Sequence, residues 1–595
     1  MSFAAPAEFQ TRPDLTGTFG MSASTHWLAS GTAQSVLERG GNAFDAATAA
    51  AFVLHVVEPH LNGPGGDLVA IASPVGKPPV VLMGQGPAPA AASITHMRRL
   101  GLDLVPAAGA LAAAVPGAVD AWLLMLRDHG TWEPADVLEY AIGYADNGHV
   151  LSDRVAAVIG TVADLFFEHW PTSAALWMPD GRIPRSGSLF RNPAYAATLR
   201  RLVSAGRGHR SRYERIDAAR TEWCSGSVAG EIDEFVRRPH RHSDGRDHRG
   251  VLRKSDMAAF SASWEEPVEF DFRGVTVLKS GPWGQGPVLL QALAILDEFG
   301  DTEIDPSTAI GAHNVLEALK LALADRDAYY GDGLDREHLE TLLSREYASI
   351  RRKEIGERAS AEFRPGVCAI DPFLPPLVET ASGAASGATG EPTVTVTGET
   401  RGDTCHIDVI DRWGNAVSAT PSGGWLQSSP TIPELGFALG TRLQMTWLDP
   451  ASPSALRPGM RPRTTLTPTM LMRDGWAIAA LGTPGGDQQD QWQLSYLLRT
   501  VVGGYTPQQA IDAPTLHTTS MPGSFWPRAW EPAGAVVENR LGDSVIDELI
   551  ARGHRVTRAG DWALGRLSAV TRDPATGVLG AAANPRGAQG YAVGR

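Results

Sequence analysis

Cysteine is almost absent from this chain: 595 residues contain three, Cys224, Cys368 and Cys405. Their odd number and wide separation exclude a disulfide framework, and no Cys-x-x-Cys or His/Cys spacing suggests a structural metal. A long hydrophobic run is also missing. The most apolar stretch, 46–57 (AATAAAFVLHVV), is too short to span a bilayer and contains His55. The first residues, MSFAAPAEFQTRPDLTG, lack the basic start and apolar centre of a secretory signal. Positive charge is in deficit, with 52 Lys and Arg against 66 Asp and Glu and a net charge of −14. A nucleic-acid binder needs a basic face, so that class is disfavoured. These absences together predict a reduced, cytoplasmic protein with neither a membrane nor a nucleic acid as partner. Gly (64) and Pro (42) are in moderate excess, which fits a turn-rich globular protein and falls short of a disordered composition. The length allows about four domain-equivalents or one large fold.

Several catalytic signatures are missing as well. The Gly-rich loops 281–287 (GPWGQGP) and 84–90 (GQGPAPA) carry no Gly-Lys-Ser/Thr and open no dinucleotide fingerprint. There is no His-Glu-x-x-His and no Gly-x-Ser-x-Gly. The His-rich segment RRPHRHSDGRDHRG within 205–250 reads as a solvated loop rather than a metal site. Arg401–Gly402–Asp403 matches an adhesion tripeptide, a match expected by chance in so long a chain. No internal repeat occurs.

What is present is a sequence of local signals. Thr32 to Arg39 is amphipathic and ends at Gly40–Gly41–Asn42, after which Asp45 serves the first turn of the apolar helix. Leu111 to about Gly148 is helical in pattern, 263–280 alternates as strands, and 288–299 and 313–330 read as helices. Residues 379–402 are rich in Gly, Ser, Ala and Thr, a linker composition. The pattern changes at Asp403. His406–Asp411 alternates, RWGN turns and Ala416–Thr420 alternates again, predicting a hairpin. A flexible segment therefore runs directly into a strand that opens at Thr404. A threonine hydroxyl is a weak nucleophile and needs a base. Cutting the bond before Thr404 would create an α-amine on the same residue, with a pKa near ~7.7–8.0, so part of it would be unprotonated at neutral pH. Downstream, Gly485–Gly486–Asp487 precedes a helical run, and such a turn offers backbone N–H groups to an oxyanion.

These segments resemble the γ-glutamyltranspeptidase family of N-terminal-nucleophile (Ntn) hydrolases. Residues 40–67 (GGNAFDAATAAAFVLHVVEPHLNGPGGD) are similar to the family's GGNAVDAAVA…VVEPHSSGIGGG. AAVPGAVDAW (113–122), LLQALAIL (289–296) and EALKLALADRDAYYGD (317–332) also resemble family segments. DTCHIDVIDRWGNAVS (403–418) resembles the stretch that opens the family's small subunit, RPRTTLTPTM (461–470) resembles RPLSSMSPT, and LGTPGG (481–486) resembles GSPGG. The resemblance implies a four-layer αββα sandwich of α/β (α+β) class, built from a large subunit (1–403) and a small subunit (404–595). It implies cleavage between Asp403 and Thr404, with Thr404 the nucleophile. Ser422 falls where the family has a supporting Thr, Thr464 and Thr465 on a Ser pair that contacts the acyl group, and Gly485 and Gly486 on the oxyanion glycines. Neither metal nor organic cofactor is implied. The partners are a small amide, water and the chain's own two subunits, and a homo-oligomer stays open.

Two departures bear on the substrate. The family's Arg in DFREMAPA, which holds the glutamyl α-carboxylate, falls on Gln85, and the acid that holds the α-amino group falls on Gln444 or, one residue along, Met445. The Asn after the second Thr falls on Gly424. Arg442 is a new charge in the same segment and the candidate to hold a substrate carboxylate from a different direction, with a solvated strand-end Arg as the alternative; Arg463, beside Thr464, is the next candidate. Residues 419–440 and 483–492 look most like the oxamate amidohydrolase branch. The alternatives are a γ-glutamyl hydrolase or transferase and an uncut, non-catalytic binding protein.

Overall fold

The computed structural model describes residues 3–379, 394–397, 399, 404–588 and 590–595. Asp403 and most of the predicted linker lie outside the described residues.

Two seven-stranded antiparallel sheets form the centre. In the first the order is Tyr591–Gly594, Gly20–Ser24, Ile407–Asp411, Ala416–Ser422, Asp67–Ser73, Val80–Gly84, Ser263–Glu265. In the second it is Leu15–Gly17, Leu579–Ala583, Ser568–Arg572, Trp476–Gly482, Thr469–Arg473, Val275–Lys279, Val268–Phe272. The predicted hairpin occupies the middle of the first sheet, in the register Ile407↔Ala419 and Val409↔Val417. Each sheet draws strands from both sides of position 403, so neither part could complete its sheet alone.

Side chains alternate faces along a strand, and the cores follow that period. Val69, Ile71, Val81 and Ile410 of the first sheet meet Leu278, Met470, Ala480 and Val570 of the second between the layers. Their neighbours Leu68, Ala70, Leu82 and Val409 face outward onto helices Trp27–Glu38, Ala43–Val57 and Ala118–His129. On the far side Val277, Leu471, Leu481 and Ala569 meet helices Pro287–Leu296, Ala309–Tyr329 and Gln489–Leu497. The result is the αββα order that the resemblance implied. Strands buried on both faces are continuously apolar or small, as in DLVAIAS, where every residue is buried.

Local details correct some expectations. Asn42 is the cap of the apolar helix, and Asp45 completes the capping box by accepting from the Asn42 N–H. The helical stretch after Leu111 is interrupted at Gly130, giving Ala118–His129 and Pro134–Asn147. The His-rich segment is a short hairpin, Pro239–Arg241 with Asp247–Arg249, and not a solvated loop. His242 in its turn is buried and its Nε2 accepts from the Leu111 N–H. Among the described residues, no helix is long and apolar enough to cross a membrane.

Candidate active site

The first sheet presents Thr404 at the head of a central strand. Its backbone forms an antiparallel bridge with Ser422, and the Cys405 N–H donates to the Pro421 carbonyl at 3.0 Å. Thr404 and Ser422 are both buried, and the Thr404 hydroxyl donates to Ser422 Oγ at 3.4 Å. The structure brings these two candidate residues together.

Strand parity puts Thr404, His406 and Asp408 on one face, the face toward the second sheet. There His406 bonds Thr420 Oγ1 through Nδ1 (2.9 Å) and Asp408 Oδ1 through Nε2 (2.8 Å). The other Asp408 oxygen accepts from Ser568 of the second sheet at 2.8 Å. The Ser418 hydroxyl donates to the Leu481 carbonyl at 2.9 Å. The His406 ring lies so close to Gly482 that a Cβ there would stand 2.2 Å from its Cε1. This buried polar layer fixes the strand of Thr404 against the strand that leads into the glycine turn. Sequence reading missed it because it joins residues far apart in the chain.

The glycine turn is built as expected in part. Gly485 has φ +128° and Gly486 φ +57°, and a 3-10 turn at Gly486–Gln488 leads into helix Gln489–Leu497. Asp487 is not a helix cap. Its carboxylate takes Arg326 and both the N–H and the hydroxyl of Ser524. Burial opposes the ionised form of Asp487, but these partners and Arg463 outweigh it and hold its pKa below the usual carboxylate range. Gln285, in the loop GPWGQGP, donates from Nε2 to the Gly486 carbonyl at 3.2 Å and accepts from Arg326. The same residue's N–H donates to the Thr464 carbonyl at 3.0 Å. That loop is therefore a strap between the glycine turn and the segment of Thr464 and Thr465, both buried.

On the opposite face of the strand, Cys405 is fully buried; its thiol donates to Glu58 at 3.2 Å and accepts from Asn62 Nδ2 at 3.1 Å.

The expected substrate residues fall into two groups. Gln85 and Gln444 are buried amides. Gln85 donates to the Gly86 carbonyl and Gln444 to Thr441 Oγ1, and in each the carbonyl oxygen has no partner among the described residues. Arg442 is not the free charge that the sequence suggested. It forms a two-pronged pair with Asp67 at 2.6 and 2.8 Å, and its remaining Nη1 faces the Met445 sulfur at 3.1 Å. Asp67 is paired in register with Ser422, so this ion pair abuts the site. Burial pushes the Asp67 pKa up, with Arg442 opposing it. Arg463 is held by Asp327 and by Ser524.

Metal-type ligands come together in one cluster among the described residues, His313, Glu317 and His554. There Glu317 is held by Lys320 and Arg364, and His313 Nδ1 meets His554 Nε2 at 2.9 Å. These contacts make a hydrogen-bonded network through the cluster.

Two stacked antiparallel sheets between helical layers, with a threonine at the head of a central strand, define the Ntn-hydrolase class of fold. A gamma-glutamyltranspeptidase family model matches residues 29–594, and the chain belongs to that family of enzymes. It is 31% identical to the glutathione hydrolase-like YwrD proenzyme of Bacillus subtilis over 97% of this chain and 99% of that one. It is 29% identical to the oxamate amidohydrolase proenzyme of Klebsiella pneumoniae over 97% and 98%. Among solved structures, LmbA2991HD matches with a TM-score of 0.93 at 52% identity, over 99% of this chain and 100% of that one. Cephalosporin acylase from Bacillus halodurans matches with a TM-score of 0.82 at 29% identity, over 100% and 98%.

Proposed function

We propose that this enzyme cleaves itself before Thr404 and then hydrolyses a small amide whose acyl group bears a carboxylate and no amino group, such as oxamate. The observation that carries the reading is the Thr404–Ser422 contact at the head of the strand, together with neutral Gln85 and Gln444 where a glutamyl head group would need charged partners.

In processing, Thr404 Oγ adds to the carbonyl carbon of Asp403, the peptide C–N bond breaks and the nitrogen takes the hydroxyl proton. Water then hydrolyses the resulting ester. The large part ends in a carboxylate, and Thr404 gains a free α-amine. In turnover that amine accepts the Oγ proton as Oγ bonds the amide carbon, and Ser422 orients the hydroxyl. The N–H groups of Gly485 and Gly486 take the tetrahedral oxyanion. Collapse expels the leaving amine with the shuttled proton, and water releases the acid from Thr404. Thr464 and Thr465 contact the acyl group. The open carbonyl oxygens of Gln85 and Gln444 suit N–H donors and repel a carboxylate. Arg442, already neutralised by Asp67, orients the substrate more than it supplies charge.

A γ-glutamyl substrate would bury a carboxylate and an ammonium without charged partners at Gln85 and Gln444. Charge-assisted hydrogen bonds are worth about 1.5–3 kcal/mol each, so losing two lowers kcat/KM by roughly 10²–10⁴-fold. Oxamate is expected to be hydrolysed faster than γ-glutamyl-p-nitroanilide in a substrate panel on the purified enzyme. The reverse order would restore the γ-glutamyl reading, which the B. subtilis relative's name favours. Arg442→Ala is expected to raise KM for both acidic and neutral amides, because it leaves Asp67 buried and unpaired beside the site. An effect confined to the acidic amide would return the carboxylate contact to Arg442.

A further inference from the structure

The loop 58–66, which follows helix Ala43–Val57, packs backbone against backbone on the residues around Ser422. A Cβ on Gly66 would stand 2.1 Å from the Ser422 carbonyl oxygen, and one on Gly63 would stand 2.4 Å from that of Gly424. Asn62 forms a parallel bridge with Gly423. The Leu426 N–H donates to the Pro59 carbonyl at 2.8 Å, and Trp425 Nε1 donates to the Leu61 carbonyl at 2.8 Å.

From this loop one side chain reaches the strand of Thr404. Asn62, fully buried, donates from Nδ2 to Cys405 Sγ at 3.1 Å and to the carbonyls of Leu54 and Glu58 at 3.1 and 3.3 Å. Because Sγ accepts from Asn62, the thiol hydrogen is left for Glu58, whose Oε2 takes it at 3.2 Å and also takes the Thr25 hydroxyl. Two of the three acceptors do not depend on Asn62 Nδ2. The Leu54 carbonyl has the Glu58 N–H, and the Glu58 carbonyl has the N–H groups of Leu61 and Asn62. What the side chain adds is its grip on Cys405. Its Oδ1 has no partner among the described residues, and a buried acceptor left unpaired costs stability. Folding alone therefore gives little reason for an amide at this position.

Asn62 thus touches both sides of the Thr404–Ser422 contact, Gly423 through its backbone and Cys405 through its side chain. That contact is 3.4 Å long, against ~2.7–2.8 Å for a usual bond between hydroxyls, so a small shift of either strand closes or breaks it. Cutting before Thr404 would make that residue a chain terminus, and termini fray unless tied down. Cys405 is then the tie, with its N–H on the Pro421 carbonyl at 3.0 Å and its thiol between Asn62 and Glu58. We infer that Asn62 is a positioning residue for the nucleophile: by holding Cys405 to the backbone that follows Ser422, it sets the spacing of the Thr404 and Ser422 hydroxyls. The inference rests on the reading of Thr404 as the nucleophile of self-cleavage and turnover.

The test uses the full chain and follows two rates, self-cleavage of freshly synthesised protein on a denaturing gel and kcat for oxamate. Asn62→Leu and Cys405→Ala are each expected to slow both by roughly 10–100-fold, since a displaced nucleophile loses its alignment with the carbonyl. KM is expected to stay within about twofold, and the melting temperature near native. The double variant is expected to be no slower than the slower single one, because the two side chains act through one contact. Cys405→Ser, which keeps an acceptor for Asn62 and a donor for Glu58, is expected to recover part of the loss. Native rates in Asn62→Leu, or single losses that multiply in the double variant, overturn the inference. If Asn62→Leu does not fold, Asn62→Ser decides: its hydroxyl is one bond short of Cys405, so the same loss is expected, and native rates overturn the assignment. Self-cleavage needs no added amide, so a wrong substrate affects only the second rate. A Thr404→Ala chain that is still cut would strike the reading of the nucleophile, whereas native self-cleavage in Asn62→Leu beside an uncut Thr404→Ala strikes Asn62 alone.

Discussion

Thr404→Ala is expected to leave a single full-length chain on a denaturing gel, where the native protein separates into pieces of about 400 and about 190 residues by self-cleavage. In the proposed mechanism the hydroxyl that attacks the preceding carbonyl is also the hydroxyl that attacks substrate, so one substitution removes both events. Loss of a nucleophile costs on the order of 10⁴-fold or more in kcat, and here the unreleased α-amine adds the loss of the base. Fold is expected to survive. Thr404 is buried and held by its backbone bridge to Ser422, and alanine leaves that bridge intact. Thr404→Ser restores a hydroxyl and is expected to process and turn over, more slowly than the native enzyme because the methyl group no longer fixes the rotamer. Mass spectrometry of the small piece should begin at Thr404. An amidase-active protein that remains one chain would remove the mechanism, and an uncut, inactive native protein would favour the binding-protein alternative.

The elements that carry the candidate residues were legible where their signals are local. The composition break at Asp403, the hairpin after it and the glycine turn at 485–486 are each contained within a few residues, and the hairpin is found in register. The roles of Gln85, Gln444, Thr464 and Thr465 came only from resemblance, since a lone Gln or Thr carries no pattern. What escaped the sequence depends on strand pairing between distant segments. Asp67 lies in a loop-to-strand junction, and nothing local says that it pairs with Arg442, 375 residues away. Arg442 therefore read as an available charge. His406 sits in a plainly alternating strand, and its bonds to Thr420 and Asp408 follow from the neighbouring strand and the sheet face it occupies. The loop GPWGQGP carries no phosphate-binding signature, and its use as a strap between Thr464 and Gly486 needs three separate segments to meet. The short hairpin around His242 was misread for the same reason: its charged composition suggested solvent, while its turn is pinned under Leu111.

Gly486→Val is expected to lower kcat by roughly 10²–10³-fold, the loss that follows displacement of one oxyanion donor. Gly486 has φ +57°, a conformation that glycine adopts freely and a β-branched residue resists. Valine would rotate the local peptide planes to relieve that strain, and the N–H groups proposed to hold the oxyanion would turn with them. KM is expected to change little, because the donors act on the tetrahedral state more than on the ground-state carbonyl. Gly486→Ala is the milder control, tolerated in this region at about 1 kcal/mol, and should fall between the native enzyme and the valine variant. Gly485 is the harsher position: its φ is +128°, and a Cβ there would stand 2.3 Å from the Trp492 ring. Gly485→Ala is therefore expected to reduce thermal stability as well as kcat, whereas Gly486→Ala leaves the melting temperature near native. Processing is read on the same samples, since Thr404's attack on the preceding carbonyl also creates an oxyanion. A Gly486→Val protein that is folded, cut and as fast as the native enzyme would take this turn out of the mechanism, and the donors would then have to come from the backbone around Gly423 and Gly424, which follows Ser422 on the other side of the nucleophile.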